Sequence, residues 1–531
     1  MKTICLYFEI HQPIHLKRYR FFDIGTDHYY YDDYENERVI NELFEKSYKP
    51  ALQTMLDMIE ENGKAFKVAF SISGVSLELI EQYAPEMLDL LGRLAASGCV
   101  EFLAEPYSHG LSSLGNVDNF IAETKRQAKK IKQLFGLNPK VFRNSSLIYD
   151  DEIGAMVADM GFKGMMVEGA KHILGWKSPH YIYSCAQDSR LSLILRDYKL
   201  SDDISLRFND ASWSEYPLMA DKWLSWVAGL PEGENVVGIM MELSAIGYYQ
   251  PLSSHILDFL RALPKVAGNM GIQFATPSEV LAKNKPVSPL EVVYPVSWND
   301  EERDTSSMLG NGMQREAFNK LYDENIVGRI LASRDRRIQQ DWDRLQATDN
   351  FRFMTTKNNG IGGNNRGIYD NEYDAFTNYM NILGDFLKRV KDMFPDTVEN
   401  DELNSLYTQI ANMGEELNVK DNEISRLRAR LKKLGSAEEE EAPKEEPKKA
   451  PVKKAPARKP APKKAPAKKP AAKKALAKKE EPKAKPAAKK APAKKAPTKE
   501  PAEKKAPAKK PAAKKAPAKK PAVKKTPAKK K

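Results

Sequence analysis

The chain opens MKTICLYFEIHQPIH, Met1 to His15, and its first apolar run decides how the rest is read. Thr3-Ile4-Cys5-Leu6-Tyr7-Phe8 is short and continuously apolar, as expected of a strand buried on both faces of a parallel sheet. Glu9, His11 and Gln12 come directly after it, in place of a Gly-rich phosphate-binding turn. That absence argues against an open dinucleotide-binding sheet and for a barrel. The same run is too brief and too interrupted by polar residues to be the apolar core of a signal peptide.

Outward from this strand, the pattern is strand then helix, repeated. Residues 67–72, 100–104, 140–142, 164–167 and 236–241 read as further strands, and 51–61, 76–97, 117–135 and 151–160 as helices. Such alternation implies βα units around a parallel sheet, with any chemistry just past the C-terminal strand ends. That rule collects Glu9, His11, Gln12, Glu105, Tyr107, His109, Arg143, Asn144, Ser145, Ser146, Glu168, His172 and Glu242 on one rim. Any one of them could simply solvate a loop mouth; their number on one rim is what points to a cleft. Aromatic residues crowd the same loops, including Trp176, Tyr181, Trp213, Tyr248 and Tyr249. Sugars stack on such rings, although aromatics at loop mouths also serve as core lids.

Composition separates the chain into two objects. Beyond Gly435 there is no Gly and no aromatic residue, and residues 436–531 carry 35 Lys+Arg against 10 Asp+Glu. That tail holds a net +25, which leaves −13 on residues 1–435 against the +12 of the whole chain. Cys5, Cys99 and Cys185 are odd in number and not in metal-ligand spacing, which suits buried thiols in a reducing compartment, and the cytoplasm is the expected location. No apolar stretch is long enough for a membrane span.

The motifs HQP at 11–13, EFLAEPYSHGLSSL around His109, FRNSSLIYDD from Phe142, MVEGAKHILGW, LSDDISLRF and ATPSEVL together resemble glycoside hydrolase family 57, in its α-amylase branch. Further on, ERDTSSMLGNGMQREAFNKLY, RLQATDNFRFMTTK and YDAFTNYMNILGDF resemble that branch's C-terminal helical region, so the resemblance spans roughly residues 1 to 390. It implies an α/β fold, an incomplete (β/α)7 barrel over 1–285 followed by a helical domain over 286–395. It also implies a site without metal or cofactor, acting on α-1,4-glucan with retention of configuration. His11, Gln12, His109, Arg143, Asn144, Trp176, Asp202 and Asp203 are the expected substrate-binding residues.

Two positions depart from the family pattern. Active members read Arg-Asn-Thr-Glu at the fourth strand, where the Glu is the nucleophile; Ser146 stands there in this chain. Their proton donor is the Asp of Met-Asp-Tyr-Glu-Thr-Phe-Gly, and this chain has Met241-Glu242-Leu243-Ser244-Ala245-Ile246-Gly247. Retaining hydrolysis needs two carboxyl groups about 5–5.5 Å apart, one beneath the ring as an anion. A serine hydroxyl cannot supply that charge, whereas Glu242 can still donate a proton from a displaced position. The expectation is therefore glucan binding with hydrolysis weak or lost. A relocated carboxylate among Glu9, Glu105 and Glu168 would instead leave an active hydrolase or 4-α-glucanotransferase.

Leu403, Leu406, Ile410, Met413, Leu417, Ile424, Leu427, Leu431 and Leu434 follow heptad spacing, with Lys420 in the one gap. A coiled coil over 396–435 and a homo-oligomer are expected, the alternative being a long helix folded back on the body. The 18 prolines of 436–531 forbid a continuous helix, so a disordered tail is expected. It resembles linker-histone tails, and its lysines suit nucleic acid or another polyanion through phosphate neutralisation, or simply solubilise the protein. The tail also suggests a third function, that of a nucleic-acid-associated oligomer with the barrel as scaffold.

Overall fold

The computed structural model describes residues 1–357 and 367–393, with isolated helical positions at 409, 412, 413, 417, 419, 420 and 424. The expected heptad seam lies outside the described residues except for Met413, Leu417 and Ile424, which are helical and exposed, and the lysine-rich tail lies wholly outside them.

Eight principal strands occur in the order β1 (Thr3–Ile10), β2 (Val68–Ile72), β3 (Val100–Leu103), β4 (Val141–Arg143), β5 (Gly164–Glu168), β6 (Ile182–Cys185), β7 (Ser192–Arg196) and β8 (Val236–Glu242). Parallel pairings run β8-β1-β2-β3 and β4-β5-β7-β8. A parallel bridge between Ala104 and Phe142 joins the two arcs, so the pairings close a circuit of seven strands. The contact between β7 and β8 is the Arg196–Gly238 pair. Gly238 is required there, because a Cβ would sit 2.3 Å from the Leu195 carbonyl oxygen.

Burial on both faces explains why these strands read as unbroken apolar runs, but their side chains still alternate. Ile4, Leu6, Phe8, Phe70, Phe102, Phe142, Met165, Ile239 and Met241 face the surrounding helices. Cys5, Tyr7, Ala69, Leu103, Val141, Met166, Ile194, Val236 and Met240 fill a separate interior cluster. Each large apolar side chain so buried contributes about 1.5–3 kcal/mol relative to exposure. Continuing the interior period by one more step reaches Glu9, Ser71, Glu105, Arg143, Glu168, Arg196 and Glu242 at the strand ends.

Helix limits follow local chemistry. Val117–Phe135 begins where the Asn116 side chain accepts from Asn119 N, and ends at left-handed Gly136, φ 72°. Asp151–Asp159 is capped by Asp150, whose carboxylate accepts from Ile153 N at 2.8 Å. The expected 76–97 helix is two, Gly74–Tyr83 and Glu86–Ala96, broken at Pro85. Strands β6 and β7 depart from the expected alternation. The only helix between β5 and β6 is the four-residue Lys171–Leu174, and β6 returns antiparallel to β7, so the βα pattern fails locally.

The α/β part is followed by a helical C-terminal region comprising Ser306–Leu309, Gly312–Leu321, Glu324–Ala332, Arg336–Leu345, Thr348–Arg352 and Glu372–Asp392. Fully buried Asp385 of the last helix holds the segment 25–30, accepting from Gly25 N at 2.7 Å and Tyr30 Oη at 2.6 Å and contacting His28 Nδ1 at 2.8 Å. Arg389 meets Asp341 at 2.6 Å, and Tyr31 donates to the same carboxylate at 2.5 Å. Among the described residues, no helix is long and apolar enough to cross a membrane.

Candidate functional site

The ionic layer at the strand ends forms two centres. In the first, Arg143 is completely buried, with Nη2 2.7 Å from Glu9 Oε2 and Nη1 donating to Glu105 Oε2 at 3.0 Å. His109 lies 3.2 Å from Glu9 Oε1 and stacks on His11 with ring centroids 3.9 Å apart. Burial pushes the His109 pKa well below the usual imidazole range, with His11 adding to the shift, so its ring is neutral at neutral pH. Burial also raises Glu9 and Glu105, opposed chiefly by the Arg143 charge.

The second centre joins Glu168, Arg196, Asp202 and Arg303. Arg196 donates to Asp202 at 2.5 Å and to Glu168 at 3.3 Å, while Arg303 reaches the other Asp202 oxygen at 3.0 Å. Arg196 and Arg303 are absent from the residues that sequence alone places at the site. The first sits on the unexpected strand β7, and the second lies about a hundred residues beyond Asp202 in sequence.

The Arg143–Ser146 stretch folds as a tight turn. Asn144 spends its side chain on this turn, accepting from Ser145 N and donating to Ser113 Oγ and Ile148 O, each at 2.9 Å. Ser146 and Leu147 then adopt left-handed backbone, φ 50° and 53°. His109 (φ 54°) and Arg303 (φ 56°) share that conformation, which costs non-glycine residues roughly 1–2 kcal/mol each and concentrates at functional sites. The 297–299 segment is pinned on this turn. Ser297 Oγ and Trp298 N donate to the Ser146 carbonyl, and Asn299 Nδ2 donates to the Ser146 hydroxyl at 3.0 Å.

A cavity of about 320 Å³ opens above the first centre. Glu9, His11, Gln12, His109, Ser146 and Glu242 line it from the barrel, and Trp298, Tyr249 and Phe353 supply aromatic walls. The helical region closes one side through Thr348, Asp349 and Arg352. His11 links the two parts, with Nε2 2.9 Å from Asp349 and Nδ1 2.8 Å from Ser73 Oγ. Burial works against the Asp349 charge, but the His11 hydrogen bond and the His11 and Arg352 charges outweigh it and hold the carboxyl below its ordinary range. Glu242 is half-buried and accepts from Ser244 Oγ at 2.8 Å. Burial raises its pKa, with the Glu9 charge adding to the effect.

Of the expected substrate-binding residues, His11, Gln12 and His109 line this cavity. Arg143 and Asn144 lie fully buried beneath it, supporting rather than touching whatever enters. Asp202 and Asp203 line a different, open depression with His172, Arg207 and Arg303. Trp176 projects with 93% of its surface exposed and lines neither space. An aromatic residue in a rim loop faces the cleft only if its loop folds inward, and the Lys171–Leu174 turn carries Trp176 outward.

Chemically, the cavity has two carboxyl groups whose pKa values burial raises, Glu242 beside Ser244 and Glu9 held by Arg143. Among the described residues the Ser146 hydroxyl is hydrogen-bonded to Asn299 and to no imidazole or carboxylate that could activate it. Glu105 and Glu168 are completely buried against guanidinium groups and do not line the cavity. No group of three His, Cys, Asp or Glu among the described residues is placed to hold a metal ion.

Residues 5–293 match the model of glycosyl hydrolase family 57. A protein of Methanocaldococcus jannaschii named "Putative alpha-amylase" is 35% identical over 408 residues, covering 73% of this chain and 84% of its own. Crystal structures of family 57 branching enzymes from Thermococcus kodakaraensis and Pyrococcus horikoshii share the fold at 13% identity and TM-score 0.54. They cover 76% and 77% of this chain, and 94% and 95% of their own.

Proposed function

Because this chain belongs to glycosyl hydrolase family 57, we propose that its α-amylase-like site binds α-1,4-glucan in the cavity above Glu9 and Glu242 while retaining hydrolysis is impaired. The observation that supports this reading is the neutral serine at 146, tied to Asn299, at the position that the sequence resemblance aligns with the anionic nucleophile of retaining members. Losing that anion removes both the covalent intermediate and the charge that stabilises the oxocarbenium-like transition state. One such electrostatic contact accounts for on the order of 10²–10³ in rate. The cavity keeps what binding needs, namely aromatic walls and a ring of hydrogen-bonding side chains.

The test is calorimetric titration of the full chain with a maltooligosaccharide, then product analysis of the same sample. Binding without products supports the proposal. Turnover at rates typical of enzymes, roughly 1 s⁻¹ or more, that a Glu9→Gln change abolishes even at saturating maltooligosaccharide would establish the relocated-carboxylate alternative instead. For residues 436–531 the +25 charge supports polyanion binding, and for 403–434 the heptad spacing supports self-association.

A further inference from the structure

Glu9 has no part in the family's two-carboxylate scheme, yet it occupies the floor of the cavity. Strands β1 and β8 pair in parallel with Glu9 directly opposite Glu242, so the two backbones run side by side about 4.7–4.9 Å apart there. Both residues continue the interior-facing series, Cys5-Tyr7-Glu9 on one strand and Met240-Glu242 on the other. Both line the same cavity. Their other partners differ. Glu9 is fixed from behind by buried Arg143 and neutral His109, with Glu105 and His11 alongside. Among the described residues Glu242 has no guanidinium in ion-pair contact; it faces Glu9, the Ser244 hydroxyl, Asp349 and Arg352 from the helical region, and the phenols of Tyr48 and Tyr249.

We infer that Glu9 and Glu242 act as one hydroxyl-reading pair for glucan, Glu9 as a fixed anionic acceptor and Glu242 as a neutral acid that donates. Burial raises both carboxyls, two adjacent carboxyls share a site most cheaply with one proton between them, and the charge goes to Glu9, the member with the Arg143 guanidinium at 2.7 Å. A protonated carboxyl offers an O–H donor beside acceptor oxygens, so the pair presents opposite hydrogen-bonding characters side by side. Neighbouring sugar hydroxyls, each both donor and acceptor, satisfy that pair. Glu9 is thereby a specificity-determining residue, and the assignment rests on the glucan proposal above.

Burial and the Glu9 charge raise the Glu242 pKa, so the donor is present at low pH and lost as pH rises. Calorimetric titration of the full chain with maltotriose from about pH 5 to about pH 9 reads this directly. Affinity of the unmodified protein should fall by about tenfold or more across the range. In Glu242→Gln, whose amide donates at every pH, it should stay within about threefold. Glu9→Gln, which loses the anionic acceptor, should bind more weakly than the unmodified protein at low pH, where the Glu242 donor is present. Independently of any variant, titration in two buffers of different ionisation heat should count about one proton taken up on binding at high pH and none at low pH. Binding that is flat in pH without proton uptake, or a Glu242→Gln profile that falls as the unmodified protein does, overturns the paired reading and leaves the glucan proposal standing. Absence of maltotriose binding at every pH overturns the glucan proposal, and the pair with it.

Discussion

Asn299 donates its side-chain amide to the hydroxyl of Ser146 at 3.0 Å, across more than 150 residues of sequence. Position 146, which we propose corresponds to the family's nucleophile, is therefore provided with a neutral donor, and that same donor would suit a carboxylate placed there.

On the proposed assignment of positions 146 and 242, Ser146→Glu alone supplies an anion but leaves the acid on a side chain one methylene longer than Asp. Ser146→Glu with Glu242→Asp restores both, so regained release of reducing sugar from maltooligosaccharide should be at least about 10-fold larger in the double variant. Equal activity in single and double variants would show that the Glu242 position is immaterial.

His180 is held between Asp197 and Glu234, each at 2.7 Å. Burial disfavours its charge, but the two carboxylates prevail and raise its pKa. A raised imidazole pKa adds stability that is complete below the unfolded value, about 6.5, and lost as pH climbs through the folded one. His180→Gln should cost about 1.5–3 kcal/mol at pH near 6 and distinctly less at pH near 9, read from urea midpoints.

Removing the Asp385 carboxylate strands the Gly25 N–H and the Tyr30 hydroxyl. Asp385→Ala should destabilise the protein by about 2–4 kcal/mol, measured by denaturant unfolding. Because the same helical region supplies Asp349, maltotriose affinity should fall as well.

The lysine-rich residues should retain duplex DNA without sequence preference. Log affinity should fall with log salt at about −0.9 per phosphate neutralised, and a chain ending at Gly435 should lose retention at low salt.

Light scattering of chains ending at Asp396 and at Gly435 should give a smaller oligomer for the shorter one, since only the longer contains the Leu403–Leu434 spacing.

Much of the cavity was legible because a parallel barrel concentrates polar groups past its strand ends, which singled out Glu9, His11, His109, Ser146 and Glu242. The residues that escaped notice did so through distance. Asp349 meets a histidine 338 positions earlier, and Trp298 and Asn299 come from an irregular segment with no period to announce it. Arg196 ends a strand whose antiparallel partner breaks the alternation that marks the other strand ends. Arg143 and Asn144 stand out by position but support the cavity instead of contacting its contents, because sequence shows that a residue is at a rim and not how deep its side chain sits.

The bond between His11 and Asp349 also bears on how the protein is made. A ribosome adding about 5–20 residues per second presents the first half of that bond at the outset and the second only after the whole barrel has emerged. Until then the cavity lacks its Thr348–Arg352 wall, and a chain cut at the end of the family match, residue 293, would have the ionic floor but an open side. Sugar binding should therefore switch on as a late event in synthesis, and minimal fragments designed from the matched region alone should bind poorly even when folded.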